Sequence, residues 1–212
     1  MPKKFAINMH LFYTKPNNGV HIFSGFAAAL RDAREATGRK PANGVKTNQD
    51  KIGSWLGAIG YLCLLDQIGS CFRPSNANRV NGNSIKKALK YFTDLSEKEI
   101  NAIYALRCAF AHDFSLYNIN HRKPELTHQF AVGIGGSMTT VILPKEQWDG
   151  DYSNRTPENK TIINLEALGD LIEGVCVKLF NLAKQDELEI ELEGGSDELL
   201  NRYGVYKKQN KS

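Results

Sequence analysis

The sequence predicts a mainly α-helical fold, a bundle of four to five helices carrying a small β-hairpin insertion. Three observations predict it. Apolar residues recur at steps of three and four through 22–37, 50–72, 95–113 and 165–186, with 84–92 as a shorter fifth stretch. A single region, about 126–143, instead alternates apolar and polar residues on either side of a glycine corner. With 42% hydrophobic residues in 212, the chain can also close one sizeable core.

Taken in order, residues 1–21 read as an extended lead-in, with a turn cluster at Pro16, Asn17, Asn18 and Gly19. The lysines of the opening MPKKFAINMHLFY precede an apolar run that breaks at Asn8 and His10, so it does not read as a signal peptide. Residues 22–186 are expected to form a single helical domain. Its first helix, 22–37, has a stripe of Phe23, Phe26, Ala27, Leu30 and Ala33 and stops at Gly38. The loop GRKPANGVKTN follows, with Arg39, Lys40 and Lys46 as cations expected in solvent, the alternative being a contact to a phosphate backbone. The second helix, 50–72, is apolar nearly all round and is expected to be the most buried, its Gly53, Gly57, Ala58 and Gly60 admitting a close neighbour. Asp66 and Gln67 argue against a membrane span there. On the short helix 84–92, Lys86, Lys87 and Lys90 share one side, an expected solvated face that is also the best candidate RNA-facing stripe outside the central segment. The hairpin is placed at THQFAVGI and SMTTVILP around Gly133, Gly135 and Gly136, and 144–161 reads as irregular, pinned by Trp148 and Tyr152. The helix at 165–186 carries Leu168, Leu171, Ile172, Val175, Leu179 and Leu182. Residues 187–212 run from acidic to basic and read as a polar tail, a short helix or disorder.

A formal charge of +4 permits an anionic partner without requiring one. Cys63, Cys71, Cys108 and Cys176 lie in apolar stretches with no CxxC pair, so they read as buried free thiols in a reducing, cytoplasmic setting.

The stretch that carries chemistry is Leu95 to Asn118. Ser96 and Glu99 form an S-x-x-E capping box, and Ile100, Ile103, Leu106 and Phe110 make the buried stripe. Arg107 and His112 interrupt that pattern. A guanidinium keeps its charge and grips phosphate oxygens in pairs, and an imidazole exchanges protons near neutral pH. Five positions apart on a continuous helix, however, the two side chains diverge by roughly 140°. They converge on one phosphate only if the helix ends between them, or if a second copy supplies the opposite member across a two-fold axis. The competing structural reading is an arginine and a histidine satisfying the carbonyls of a helix C-terminus.

The segment LRCAFAHD, Leu106 to Asp113, resembles the R-x4-6-H signature of the HEPN superfamily (higher eukaryotes and prokaryotes nucleotide-binding domains). The resemblance implies a HEPN-like helical bundle and a homodimeric, metal-independent endoribonuclease with RNA as substrate. It further implies a toxin or defence effector restrained by an antitoxin or regulatory protein. Arg107 and His112 would be the catalytic pair, with no cofactor and no metal. His112 would move the proton of a ribose 2′-OH or of the departing 5′-oxygen, and Arg107 would stabilise charge on the phosphate. Family members commonly carry a polar residue after the arginine, where this chain has Cys108. Asp113 is placed to orient the histidine. Tyr117 and Phe114 are candidate stacking rings, with a place in the core the favoured reading for Phe114. Asn118, Asn120, His121, Arg122 and Lys123 form a polar and basic patch suited to backbone phosphates. A second match, Arg122 with His128, straddles Pro124 and has no rigid platform. The spacing of His112, His121 and His128 fits no common metal site. A non-catalytic HEPN-like module that binds RNA, nucleotide or protein is the alternative reading.

Overall fold

A computed structural model describes residues 1–12, 20–135 and 139–208. Described in chain order, the elements are α1 (Lys3–Leu11), β1 (Val20–Ser24), α2 (Gly25–Ala36), α3 (Trp55–Cys71), β2 (Phe72–Pro74), α4 (Ser84–Phe92), α5 (Glu97–Asp113), β3 (Tyr117–Asn118), β4 (His128–Gly133), β5 (Val141–Ile142), β6 (Lys160–Asn164), α6 (Leu165–Gln185), β7 (Leu188–Ile190), α7 (Gly195–Tyr203) and β8 (Gly204–Lys208). The chain is mainly helical. No helix among the described residues is long and apolar enough to cross a membrane.

Helix α3 is the axis of the molecule. It begins at Ser54, whose hydroxyl accepts the Gly57 amide at 3.1 Å, and it packs against α2, α4, α5 and α6. Its glycines set those distances. A Cβ on Gly69 would lie 1.8 Å from the Ser84 carbonyl oxygen, and one on Gly57 would lie 2.4 Å from Thr37, so α4 and α2 approach only because both positions are bare. Tyr61, Leu62, Leu64, Leu65 and Ile68 fill the space between.

The three helices with the strongest local signals form where their stripes and caps place them. Helix α4 buries Ile85, Ala88, Leu89 and Phe92. Helix α5 opens on the predicted capping box: the Glu99 amide donates to Ser96 Oγ and the Ser96 amide donates to Glu99 Oε2 at 2.8 Å. Its stripe of Ile100, Ile103, Leu106 and Phe110 is fully buried. Helix α6 starts at Asn164, whose Oδ1 accepts the Glu166 and Ala167 amides, and buries Leu168, Ile172, Val175 and Leu179.

Several expectations are corrected, beginning with the count of four to five helices, since the described residues form seven. The lead-in is not extended: Lys3–Leu11 is helical, because Ala6, Ile7, His10 and Leu11 share one buried face and Asn8 falls off it. The predicted turn at 16–19 lies outside the described residues. The tail does hold a short helix, α7, as one of the readings had it, but it is not a free polar tail: β7 pairs antiparallel with β2, α7 packs on α1, β8 pairs antiparallel with β1, and Leu188 and Leu199 are fully buried. One continuous core therefore takes in both ends, not only residues 22–186. The hairpin is not formed either. Strand β6 lies between its two arms, parallel to β4 and antiparallel to β5, giving the order β3-β4-β6-β5. Thr161 and Ile163 of β6 are fully buried, which makes that strand the better partner for both arms. Finally, Cys63 is exposed and Cys108 half-buried, whereas Cys71 and Cys176 are buried as expected.

Polar groups tie the periphery to this core. Arg34 grips Glu173 in a fork, Nε to Oε1 at 2.8 Å and Nη2 to Oε2 at 2.7 Å, while the Tyr61 hydroxyl donates to Oε1 at 2.7 Å. Burial alone would raise the Glu173 carboxyl, but these two donors hold it below its ordinary value. Arg39, buried, meets Asp170 at 2.8 Å, and Lys46 meets Glu166 and Asp170 at 2.6 and 2.7 Å. Two of the three loop cations are thus spent on α6 and are not available to a partner. The lysines of α4 are similarly engaged, Lys86 with Asn101, Lys87 with Glu191 and Lys90 with Glu97. His10 is buried differently: its Nε2 has no hydrogen-bond partner among the described residues, and it sits among the rings of Phe26, Phe72 and Tyr203. Burial lowers its pKa from 6.5 to about 4.

Glu173→Gln removes a buried charge from beneath Arg34 and is expected to cost about 3 kcal/mol in urea unfolding. A loss under about 0.5 kcal/mol would mean that solvent, not Glu173, carries the guanidinium. Between its folded and unfolded pKa values His10 binds a proton only in the unfolded chain, so its contribution falls as pH falls. Wild type is expected to lose roughly 2 kcal/mol more than His10→Phe between about pH 7 and about pH 5. Parallel pH profiles for the two proteins would contradict this.

Candidate active site

Helix α5 runs unbroken through Arg107 and His112 to Asp113. It stops because Phe114 turns into the left-handed region at φ 48°, donating its amide to Phe110 and Ala109 while the Ser115 amide closes on Ala109 at 3.1 Å. The helix does not end between the two motif residues, which removes one of the two ways they can meet.

Arg107 turns toward α3. Its Nε donates to Asp66 Oδ2 at 2.7 Å, with both side chains about a third exposed or less. Burial would lower the guanidinium pKa, but Asp66 outweighs it and holds the group above its ordinary value. Nη1 and Nη2 make no hydrogen bond among the described residues, so two donors remain for an incoming oxyanion. An ion pair this exposed costs about 1 kcal/mol or less to open. Asp66 is a partner that sequence reasoning missed. The signal was present, as it is the one carboxylate inside an otherwise apolar helix.

His112 points elsewhere. It is exposed and lines a polar cleft of about 270 Å³ with Cys108, Asp113, Tyr117, Asn118 and Tyr152. Arg107 is not part of this cleft, in keeping with the divergence expected for five positions on one helix. Asp113 is exposed in the same cleft and makes no hydrogen bond to His112. Phe114 is 57% exposed, which corrects its assignment to the core. As the left-handed residue that ends the helix, it projects away from the stripe it was expected to continue.

The remaining predicted residues divide between scaffold and surface. Tyr117 belongs to a ring cluster, 5.6 Å from Trp148 and 5.2 Å from Tyr152. Asn118 donates to the Leu126 carbonyl at 2.6 Å, and Asn120 Oδ1 accepts the Arg122 and Lys123 amides at 3.2 and 3.0 Å. Both asparagines thus shape the loop. His121, Arg122 and Lys123 are exposed at its tip. His128 is buried, with Nδ1 2.8 Å from Thr161 Oγ1 and Nε2 3.2 Å from the Glu125 carbonyl, and burial lowers its pKa. The second arginine–histidine match therefore has no shared site. Among the described residues, no three His, Cys, Asp or Glu side chains come together as metal ligands.

The chain was compared with protein-family models, curated proteins and solved structures, and none of them matches it.

Proposed function

We propose that the chain is a HEPN-like helical bundle that cuts RNA as a homodimer without a metal, as a toxin or defence effector. The observation that carries this reading is the presentation of both motif residues to solvent from one rigid helix: His112 in a polar cleft and Arg107 with two uncommitted donors. Both lie at the surface, on different faces of a single copy, so a composite site needs a second copy related by a two-fold axis. In that site His112 takes the proton of the ribose 2′-OH or supplies one to the 5′-oxygen, and Arg107 neutralises the phosphate as charge builds on it. The 2′-oxygen is the nucleophile, so the bond from phosphorus to the 5′-oxygen breaks and a 2′,3′-cyclic phosphate is left. RNA in the cytoplasm is the proposed substrate, and an antitoxin or regulatory protein is the proposed restraint.

The Arg107–Asp66 ion pair favours a second reading, a non-catalytic HEPN-like module that binds RNA, nucleotide or protein. Incubating the purified protein with total RNA in EDTA separates the two. Wild type is expected to cut, leaving 2′,3′-cyclic ends, and Arg107→Ala and His112→Ala are each expected to slow cutting about 100-fold or more. Cutting that survives both substitutions would exclude these residues from the chemistry. Absence of cutting on any RNA would favour the binding module.

A further inference from the structure

Outside the motif, the most organised surface feature is a cluster of rings bordering the His112 cleft. Trp148, 1% exposed, forms its floor, and its indole N–H donates to the Asp151 carbonyl at 2.9 Å. Tyr117 and Tyr152 lie on it at 5.6 and 5.7 Å. Tyr152 is 53% exposed and itself lines the cleft. The Arg155 guanidinium sits 5.7 Å from the Tyr152 ring and 6.0 Å from the Tyr117 ring. It donates from Nε to the Tyr152 carbonyl at 2.8 Å and from Nη1 to the Tyr117 hydroxyl at 3.0 Å, while Nη2 makes no hydrogen bond among the described residues.

The exposed Tyr152 ring is held in one orientation by three neighbours, Trp148, Tyr117 and Arg155. The segment bearing it is fixed in advance. Asp149 Oδ1 accepts the Asp151 amide at 2.8 Å and its Oδ2 accepts Asn154 Nδ2 at 2.6 Å, while Asp151 Oδ1 accepts the Ser153 amide and hydroxyl, both at 2.8 Å. Those acids thus engage their own loop. What remains for a visitor is a π-face, a cation with a spare N–H, and a polar cleft that also holds His112. A base with a phosphate attached satisfies all three at once.

We propose that Tyr152 is a stacking platform for one unpaired nucleobase of single-stranded RNA, with Arg155 on the adjoining phosphate. Base-stacking beside His112 fixes which linkage reaches the histidine, an assignment that rests on the ribonuclease reading, whereas binding itself does not. Tyr117 supports the platform and is not the ring that meets the base.

The test is fluorescence anisotropy with a short labelled single-stranded RNA and the full chain carrying His112→Ala, so that nothing is cut. Adding Tyr152→Ala is expected to weaken binding about 10-fold, and Tyr152→Phe, which keeps the π-face, is expected to bind as before. Arg155→Ala is expected to weaken binding and to reduce its salt dependence by about one ion. A duplex of the same length is expected to bind more weakly and to be indifferent to Tyr152, whereas free AMP, with one base and one phosphate, is expected to bind more weakly than the oligomer but still to depend on Tyr152. Unaltered binding by Tyr152→Ala, equal losses on the duplex, AMP binding as tightly as the oligomer, or no RNA binding at all would each overturn the platform. If wild type cuts nothing but binding still depends on Tyr152, the catalytic reading falls and the platform stands. If wild type cuts and Tyr152→Ala cuts every site equally, the platform falls alone.

Discussion

The continuity of α5 is the constraint on which the functional reading rests. A 17-residue helix, capped by Ser96 and Glu99 at one end and closed by a left-handed Phe114 at the other, carries Arg107 and His112 five positions apart. With no break between them, helical geometry sends the guanidinium toward α3 and the imidazole into the opposite cleft. One copy therefore offers half of two sites. Any chemistry that uses both groups on one phosphate belongs to an assembly.

The scaffold exists to hold that helix still. Helix α3 supplies Asp66 to Arg107 and Trp55 to stack on Phe110 at 4.9 Å, and its bare glycines bring α2 and α4 close on its other sides. Helix α6 locks the outer layer through Glu173, which satisfies Arg34 and Tyr61 together. The two ends of the chain then close the structure through α1 against α7 and β1 against β8. The cations nearest the loop at 38–48 and on α4 are largely consumed in these internal ties. Basic residues in the sequence were thus a poor guide to where an anion would land.

Elements with a local signal were legible. The stripes of α4, α5 and α6 run over 9, 17 and 21 consecutive residues and the capping box spans 96–99, and the structure keeps them with little change. Pairings between distant segments were not. Strands β2 and β7 are three residues each and join positions more than a hundred residues apart, and β6 looks irregular until its two partners flank it. The same division holds at the site. Arg107 and His112 stood out as polar interruptions of an apolar helix, but only folding brings Asp66 to Arg107 and Tyr152, with Arg155 against it, to the His112 cleft. The nine-residue α1 was lost because its buried face includes a histidine, which reads as polar until its surroundings are known.

The central claim, that two copies share one site, is tested most directly by mixing dead subunits. Arg107→Ala and His112→Ala chains are inactive alone under this account, yet a mixed dimer carries one intact arginine opposite one intact histidine. Unfolding and refolding the two together is expected to restore about a quarter of wild-type cutting, since half the dimers are mixed and each has one good site of two. Mixed dimers that form, as seen by their mass, but cut no RNA would contradict it.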